Sequence, residues 1–90
     1  MSIDLRTPPN TIARIDRVWM YVSQDAAGNE GVCAATLDPT LGPIPLIAAD
    51  EARLKQLGPI AEELARLSGI RIVLIELSTR RDVRTIDGGH

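Results

Sequence analysis

Three side chains are the candidates for chemistry in this sequence of 90 residues, and none has a suitable partner at a useful spacing. His90 is the sole histidine and follows two glycines, so no packing fixes its orientation as a general base or a metal ligand. Cys33 is the sole cysteine, and a thiol nucleophile needs a base beside it. The sequence therefore favours a small buried hydrophobic residue at Cys33 over a catalytic one.

Glu76 is the one acid inside an apolar run, residues 70–77. It could carry out proton chemistry at an interface, or it could form an ion pair with Arg14 or Arg17, which is favoured because buried acids are usually partnered. The sequence contains no Cys/His spacing typical of metal sites, no phosphate-binding Gly-rich loop and no nucleophile elbow. We therefore expect no catalytic residue, cofactor or metal, and a protein that is not an enzyme.

The aromatic residues offer a different kind of site. Trp19 and Tyr21 are the whole aromatic content and share one face of a predicted strand with Arg17. Such a row could stack on single-stranded nucleic acid, as aromatic side chains on exposed sheets do. It could equally be buried, and a hydrophobic protein interface suits this face better because its neighbours lack polar groups to read bases.

The densest basic patch consists of Arg80, Arg81 and Arg84. If this segment is helical, Arg80 and Arg84 lie on one face, suited to phosphates or carboxylates of a partner. Asp82 lies inside the patch, which favours a solvated terminal segment instead. The net charge of −2 provides no broad positive field, so bulk nucleic-acid binding is not expected.

One helix is predicted to organise the chain, over residues 50–68. Its buried face is expected to be an apolar stripe of Leu54, Leu57, Ala61, Leu64 and Leu67, widened by Ile60 and Ala65. Asp50 is the predicted N-cap and Gly69 the left-handed residue that ends the helix. Because the stripe stays in phase across Pro59, we expect a kink there and not a new helix.

Three strands are predicted before the helix, at residues 12–23, 31–37 and 44–48. Gly28 and Asn29 can take positive φ, so the first two strands should form a hairpin. Pro45 restricts the third strand to a sheet edge. The row Val18, Met20 and Val22 of the first strand is expected against the helix, which places Trp19 and Tyr21 on the opposite face.

The last strand, residues 70–77, is apolar on both faces. We therefore expect it inside the sheet, next to the first strand and parallel to it, in the strand order 3-2-1-4. The predicted fold is a small single α+β domain, β-β-β-α-β, with a mixed, mainly antiparallel sheet and one long kinked helix packed on one face. The domain should span residues 12–78, between a flexible N-terminal arm at 1–11 and a C-terminal tail at 79–90 that forms a short helix or a strand extension.

Composition narrows the setting of the protein. The sequence is 44% hydrophobic and 24% charged, and no apolar run approaches the roughly 20 residues that cross a bilayer. The first residues do not resemble an export signal, and a single cysteine fits a reducing compartment. We therefore expect a cytoplasmic protein without membrane association. The basic residues are nine arginines and one lysine, which indicates a GC-rich coding sequence and hence a bacterium.

A single helix cannot cover both sides of a sheet whose last strand is apolar on both faces. The uncovered side, expected to carry Trp19 and Tyr21, is the predicted interaction surface, and a homodimer is the expected way to bury it. The predicted function is a small non-enzymatic protein that acts by self-association, by binding a protein partner, or by both. The alternative is a nucleic-acid-binding accessory protein that uses the sheet aromatics and the C-terminal arginines.

Overall fold

The structure, a computed structural model, describes residues 14–88 of the chain. In this part of the chain, five strands precede one helix and a sixth strand follows it. In chain order the elements are β1 (Val18–Gln24), β2 (Glu30–Val32), β3 (Ala34–Thr36), β4 (Pro43–Pro45), β5 (Ile47–Ala48), α1 (Glu51–Ser68) and β6 (Arg71–Leu77). This is a small α+β domain with one helix on one side of its sheet, as the sequence predicts.

β1 is the central strand of the main sheet. β6 pairs with it antiparallel along its whole length on one side. On the other side, β2 pairs with the second half of β1, where Val22 lies opposite Val32, and β5 pairs with the first half, where Met20 lies opposite Ile47. All of these pairs are antiparallel. Within residues 14–88, β6 has β1 as its one neighbouring strand, so it forms an edge of the sheet.

The predicted second and third strands are each interrupted at one residue. The interruptions are at Cys33, between β2 and β3, and at Leu46, between β4 and β5. Tyr21 of β1 accepts a hydrogen bond from the Cys33 amide and donates one to the Leu46 carbonyl, while the Leu46 amide donates to the Cys33 carbonyl. This closed set of three backbone bonds lets β3 and β4 leave the main sheet as a separate antiparallel ribbon.

Both hairpin turns are built on an aspartate followed by a left-handed glycine. The Asp25 carboxylate accepts from the amides of Ala27 and Asn29, and Gly28 has φ 86°. In the β3–β4 ribbon, Asp38 accepts from the Thr40 amide and Gly42 has φ 72°. A positive φ costs glycine nothing, and an aspartate side chain replaces a backbone acceptor in such turns. The predicted hairpin between the first two strands is therefore confirmed.

The ends of α1 are also as predicted. Asp50 is the N-cap, and its carboxylate accepts from the Arg53 amide at 2.7 Å. Gly69 ends the helix with φ 71°, and its amide donates to the Ala65 carbonyl. The helix continues through Pro59 without interruption, so no second helix begins there.

The helix stripe is buried only in its first half. Leu57 and Ala61 are buried and Leu54 and Leu64 are half-buried, but Leu67 is 71% exposed. The prediction that Leu67 belongs to the core was therefore wrong. The helix packs mainly on β5 and less on β6, and Leu67 in its last turn is left accessible to water.

The direction of β6 differs from the prediction. Its place beside β1 is confirmed, but it lies at the edge of the sheet and not inside it, and it runs antiparallel to β1 and not parallel. The expected order 3-2-1-4 paired the strand before the helix with strand 2, whereas β5 pairs directly with β1 and is antiparallel to it. A β-α-β crossover joins strands of the same direction, so β6 follows β5 and opposes β1.

The chain after β6 has no regular secondary structure over residues 78–88, and Val83 and Ile86 are exposed. Neither the short helix nor the strand extension predicted for this segment is present there. The flexible arm predicted for residues 1–11, the first two residues of the predicted domain and the last two of the tail lie outside the described residues.

Candidate functional site

The helix covers the row of β1 that contains Tyr21. Tyr21 packs against a buried cluster formed by Cys33, Leu46, Ala48, Leu57 and Ala61. At Gly58 of α1, a Cβ atom would stand 3.6 Å from the Tyr21 hydroxyl oxygen, so the helix passes close to this ring. The prediction that Val18, Met20 and Val22 face the helix was therefore wrong. The row of Val18, Met20 and Val22 is wholly apolar, whereas the row of Trp19 and Tyr21 also carries Arg17, so side-chain polarity indicated the wrong side of the sheet.

The side of the sheet away from the helix is the strongest candidate for a functional surface, and we call it the open face. It consists of Val18, Met20 and Val22 of β1, Val32 of β2, Ile47 of β5, and Val73, Ile75 and Leu77 of β6. Residues opposite each other in an antiparallel pair project from the same face. Ile47, Met20 and Ile75 consequently form one row across three strands.

Every side chain of the open face is apolar, and the outermost ones are accessible. Val22 at the centre is buried, whereas Val32, Ile47 and Leu77 are 50%, 38% and 53% exposed. Charged side chains begin only at the end of the sheet, with Arg71 of β6 and Glu30 of β2. A contiguous apolar surface of this kind is typical of a protein interface.

Arg17, Trp19 and Glu76 lie together on the helix side of the sheet. Trp19 is opposite Glu76 in the β1–β6 ladder, and Arg17 Nη1 lies 3.5 Å from Glu76 Oε1. The Arg17 guanidinium carbon also lies 5.8 Å from the centre of the Trp19 ring. The predicted ion pair between Glu76 and an arginine is thus confirmed, with Arg17 as its partner. Both side chains are about half exposed, so the pair contributes little to stability.

Arg80, Arg81 and Arg84 lie in the irregular segment after β6, and all three are exposed. Arg80 Nε donates to Asp82 at 3.0 Å, and its Nη1 donates to the Ile15 carbonyl at 3.3 Å. That second bond brings Arg80 to the end of the sheet where Arg17 lies. The helix that would place Arg80 and Arg84 on one face is absent from this segment.

The remaining predicted candidates do not form a catalytic group. Cys33 is 5% exposed, and burial raises the pKa of its thiol, which lowers the fraction present as the reactive thiolate. Between residues 14 and 88, no three His, Cys, Asp or Glu side chains are grouped so that they could hold a metal ion. His90 lies outside the described residues.

A second apolar surface is an open groove of about 400 Å³ between β3 and the second half of α1. Its lining residues are Ala35, Thr36, Leu37, Pro59, Ile60, Glu63, Leu64 and Leu67. Its one carboxylate, Glu63, forms an ion pair with Arg66. Leu64 and Leu67 belong to the apolar stripe that the sequence predicts, and in the structure Leu64 packs against the core while Leu67 is exposed in the groove.

No known protein family, curated protein or solved structure matches this chain. We therefore base the functional proposal on the fold and its surfaces. Among the described residues, no helix has both the length and the apolar character needed to cross a membrane.

Proposed function

We propose that this protein is a non-catalytic association module that stacks its open face on the open face of a second copy. The observation that carries the proposal is the row of Ile47, Met20 and Ile75, which crosses three strands without a polar side chain. Two sheets can pack face to face at about 10 Å with such rows interdigitated. A two-fold axis then lets both copies bury the same surface.

The small size of the core supports the same proposal. Leu46 and Leu57 are the two large side chains that are fully buried within residues 14–88. Burial of apolar surface contributes about 25 cal/mol per Å², so a domain with this core gains substantially from a further buried face. Stacking would cover Val32, Ile47 and Leu77, which water contacts in the single chain.

The interaction surface in this proposal differs in composition from the one the sequence suggested. Trp19 and Tyr21 lie on the helix side, so they do not belong to the open face. The alternative, a nucleic-acid-binding accessory protein, has weaker support because the Tyr21 ring packs on the helix and Arg17 is paired with Glu76. A stacking platform requires accessible ring faces and cations that are not already neutralised.

We also propose a cytoplasmic location in a bacterium. Its support is the single cysteine, which is buried as a free thiol, together with the preference for arginine over lysine. A chain with one thiol cannot form an internal disulfide in an oxidising compartment.

The proposal is tested by placing a charge on the open face. Ile47→Asp and Leu77→Asp change side chains that are exposed in the single chain, so the domain should still fold. Each substitution would bury a carboxylate in the stacked assembly, which is strongly unfavourable without a partner. By light scattering on a sizing column, we expect each variant to have half the mass of the parent protein.

Leu41→Asp is the matched control, because Leu41 is also apolar and even more exposed but lies in the turn between β3 and β4. It should leave the mass unchanged. Circular dichroism should give the same strand and helix content for all four proteins. A monomeric parent, or face variants that keep the parent's mass, would overturn the proposal.

A further inference from the structure

The outer edge of β6 presents unpaired backbone groups. In β1, the amide and carbonyl of Tyr21 point toward Leu46 and Cys33, so those of its neighbours Met20 and Val22 point toward β6. Their partners Ile75 and Val73 therefore form the hydrogen-bonded pairs of the β1–β6 ladder.

It follows that the amides and carbonyls of Ile72, Leu74 and Glu76 point away from β1. Across residues 14–88, no strand pairs with this edge.

The other edge strands are protected in ways that β6 is not. The Leu46 amide bonds to Cys33, so along β4 the nitrogens of Pro43 and Pro45 face outward, where proline has no hydrogen to donate. β2 is only three residues long. β6 has seven residues and no proline, and its two charged residues, Arg71 and Glu76, lie near its ends, which leaves the middle of the edge without the usual protection.

The side chains beside this edge are also apolar and accessible. On the helix side of the sheet, Leu74 is 45% exposed and Ile70, just before β6, is 43% exposed. These side chains lie on the opposite side of the sheet from the open face, so stacking of open faces does not cover them. A second contact is needed to bury them.

We propose that β6 pairs antiparallel with β6 of a second copy, about a two-fold axis at Leu74. In this register Leu74 lies opposite the partner's Leu74, and Ile72 lies opposite the partner's Glu76. Each of the three outward residues then donates one backbone hydrogen bond and accepts another. A shift by two residues leaves part of β6 unpaired, and a shift that centres the axis on Glu76 places two carboxylates opposite each other, which is unfavourable.

This contact goes beyond the stacking of open faces and is compatible with it. The two-fold axis of an antiparallel edge pair is perpendicular to the sheet, so both open faces remain on the same side. The pair presents one continuous apolar surface in which Ile75 lies opposite the partner's Val73. Two such paired sheets, stacked through their open faces, give an assembly of four chains with the helices outside.

Leu74→Pro tests the edge directly. The amide of Leu74 is not used in the β1–β6 ladder, and proline is tolerated on an edge strand when its nitrogen faces outward. We expect this variant to fold and to have half the parent's mass. Leu74→Thr is the control, because it keeps the amide and favours a strand, and it should keep the parent's mass. A proline variant with the parent's mass would overturn the proposal.

The register is tested by charge. Residue 74 lies opposite residue 74 of the second copy, so like charges would meet there. Leu74→Lys and Leu74→Glu should therefore each have half the parent's mass when measured separately. An equimolar mixture should restore the full mass, since lysine then lies opposite glutamate. A mixture that stays at half mass would exclude this register.

Amide hydrogen exchange gives an independent reading in the parent protein. Edge pairing should protect the amides of Ile72, Leu74 and Glu76 to an extent similar to those of Val73 and Ile75, which β1 protects in any case. Fast exchange at the three outward amides would contradict the edge contact.

Different variants test the edge contact and the stacking of open faces, so either one can be disproved without the other. If both exist, Leu74→Pro leaves stacked dimers, Ile47→Asp leaves edge-paired dimers, and the double variant is a monomer. An unchanged mass for Leu74→Pro together with a halved mass for Ile47→Asp would remove the edge contact and retain the proposed function. The reverse result would retain the edge contact alone.

Discussion

The Leu46 amide donates a hydrogen bond to the Cys33 carbonyl at 2.8 Å, and this bond joins two strands at the points where both are interrupted. On either side of it, the chain belongs to different sheets, the main sheet through β2 and β5 and the ribbon through β3 and β4. The junction also brings β5 directly beside β1. The crossover through α1 begins at β5. The position of β5 therefore determines both the direction of β6 and the side of the sheet that the helix covers.

Leu57 should be the most sensitive position in the helix. It is fully buried, so Leu57→Ala should lower the free energy of unfolding by about 2–5 kcal/mol. Leu67→Ala, on the same stripe but 71% exposed, should change it by no more than about 0.5 kcal/mol. Denaturant unfolding followed by circular dichroism measures both values. Equal losses for the two variants would mean that the end of the stripe is buried in solution.

The elements that the sequence predicted correctly are those with a local cause. Asp50 and Gly69 define the ends of α1 by interactions within a few residues, and Gly28 defines a turn in the same way. Glu76 and Arg17 have opposite charges in strands expected to be adjacent, so their pairing could also be anticipated.

The incorrect predictions depend on contacts between residues far apart in the sequence. The row of Val22 is the more apolar of the two, but the row of Tyr21 faces the helix, because the choice depends on where α1 crosses the sheet. The strand breaks at Cys33 and Leu46 are produced by the hydrogen bonds of the junction. Neither position is a glycine or a proline, so the residue type does not indicate the break. The antiparallel direction of β6 follows from the same junction, because β5 lies antiparallel beside β1 and the crossover makes β6 parallel to β5.

Asp25 should stabilise the β1–β2 hairpin in a pH-dependent manner. Hydrogen bonds to its carboxylate, first from the Asn29 amide, hold its pKa below the ordinary value. A lowered pKa in the folded state means that the stabilisation is complete above the unfolded pKa of about 4 and is lost as the pH falls through the folded pKa. Asp25→Ala should therefore melt below the parent at pH 7, with the difference becoming smaller as the pH falls toward 2.

Asp82→Ala is the control for the Asp25 experiment, because Asp82 lies in the exposed segment after β6. It should leave the melting temperature at pH 7 unchanged. Carbon-13 NMR of the carboxyl groups should also give Asp25 a pKa below that of a free aspartate. A difference between Asp25→Ala and the parent that remains the same at pH 2 would show that the carboxylate charge is not its cause.

Cys33 should react slowly with thiol reagents in the folded protein. It is buried, and its raised pKa leaves little thiolate at neutral pH. The expected rate with an aromatic disulfide reagent is far below that of the same chain in denaturant. A Cys33→Ala chain carrying Leu41→Cys supplies the control, since Leu41 is 70% exposed and its replacement should react rapidly. If Cys33 of the folded parent reacted as fast as the cysteine at position 41 of the folded control, the junction at Cys33 and Leu46 would have to open readily.

Removal of residues 79–90 should leave a folded domain. Within the described part of this segment, Val83 and Ile86 are exposed, and Arg80 contributes a hydrogen bond to the Ile15 carbonyl. Such a bond contributes about 0.5–1.5 kcal/mol, and 1 kcal/mol corresponds to roughly 4–8 °C in a domain of this size. We therefore expect one cooperative thermal transition, lowered by no more than about 10 °C. Arg80→Ala in the full chain should account for that shift, and its mass on a sizing column should equal the parent's. Loss of the cooperative transition on truncation would instead make the segment part of the fold, with its apolar side chains buried in the assembly.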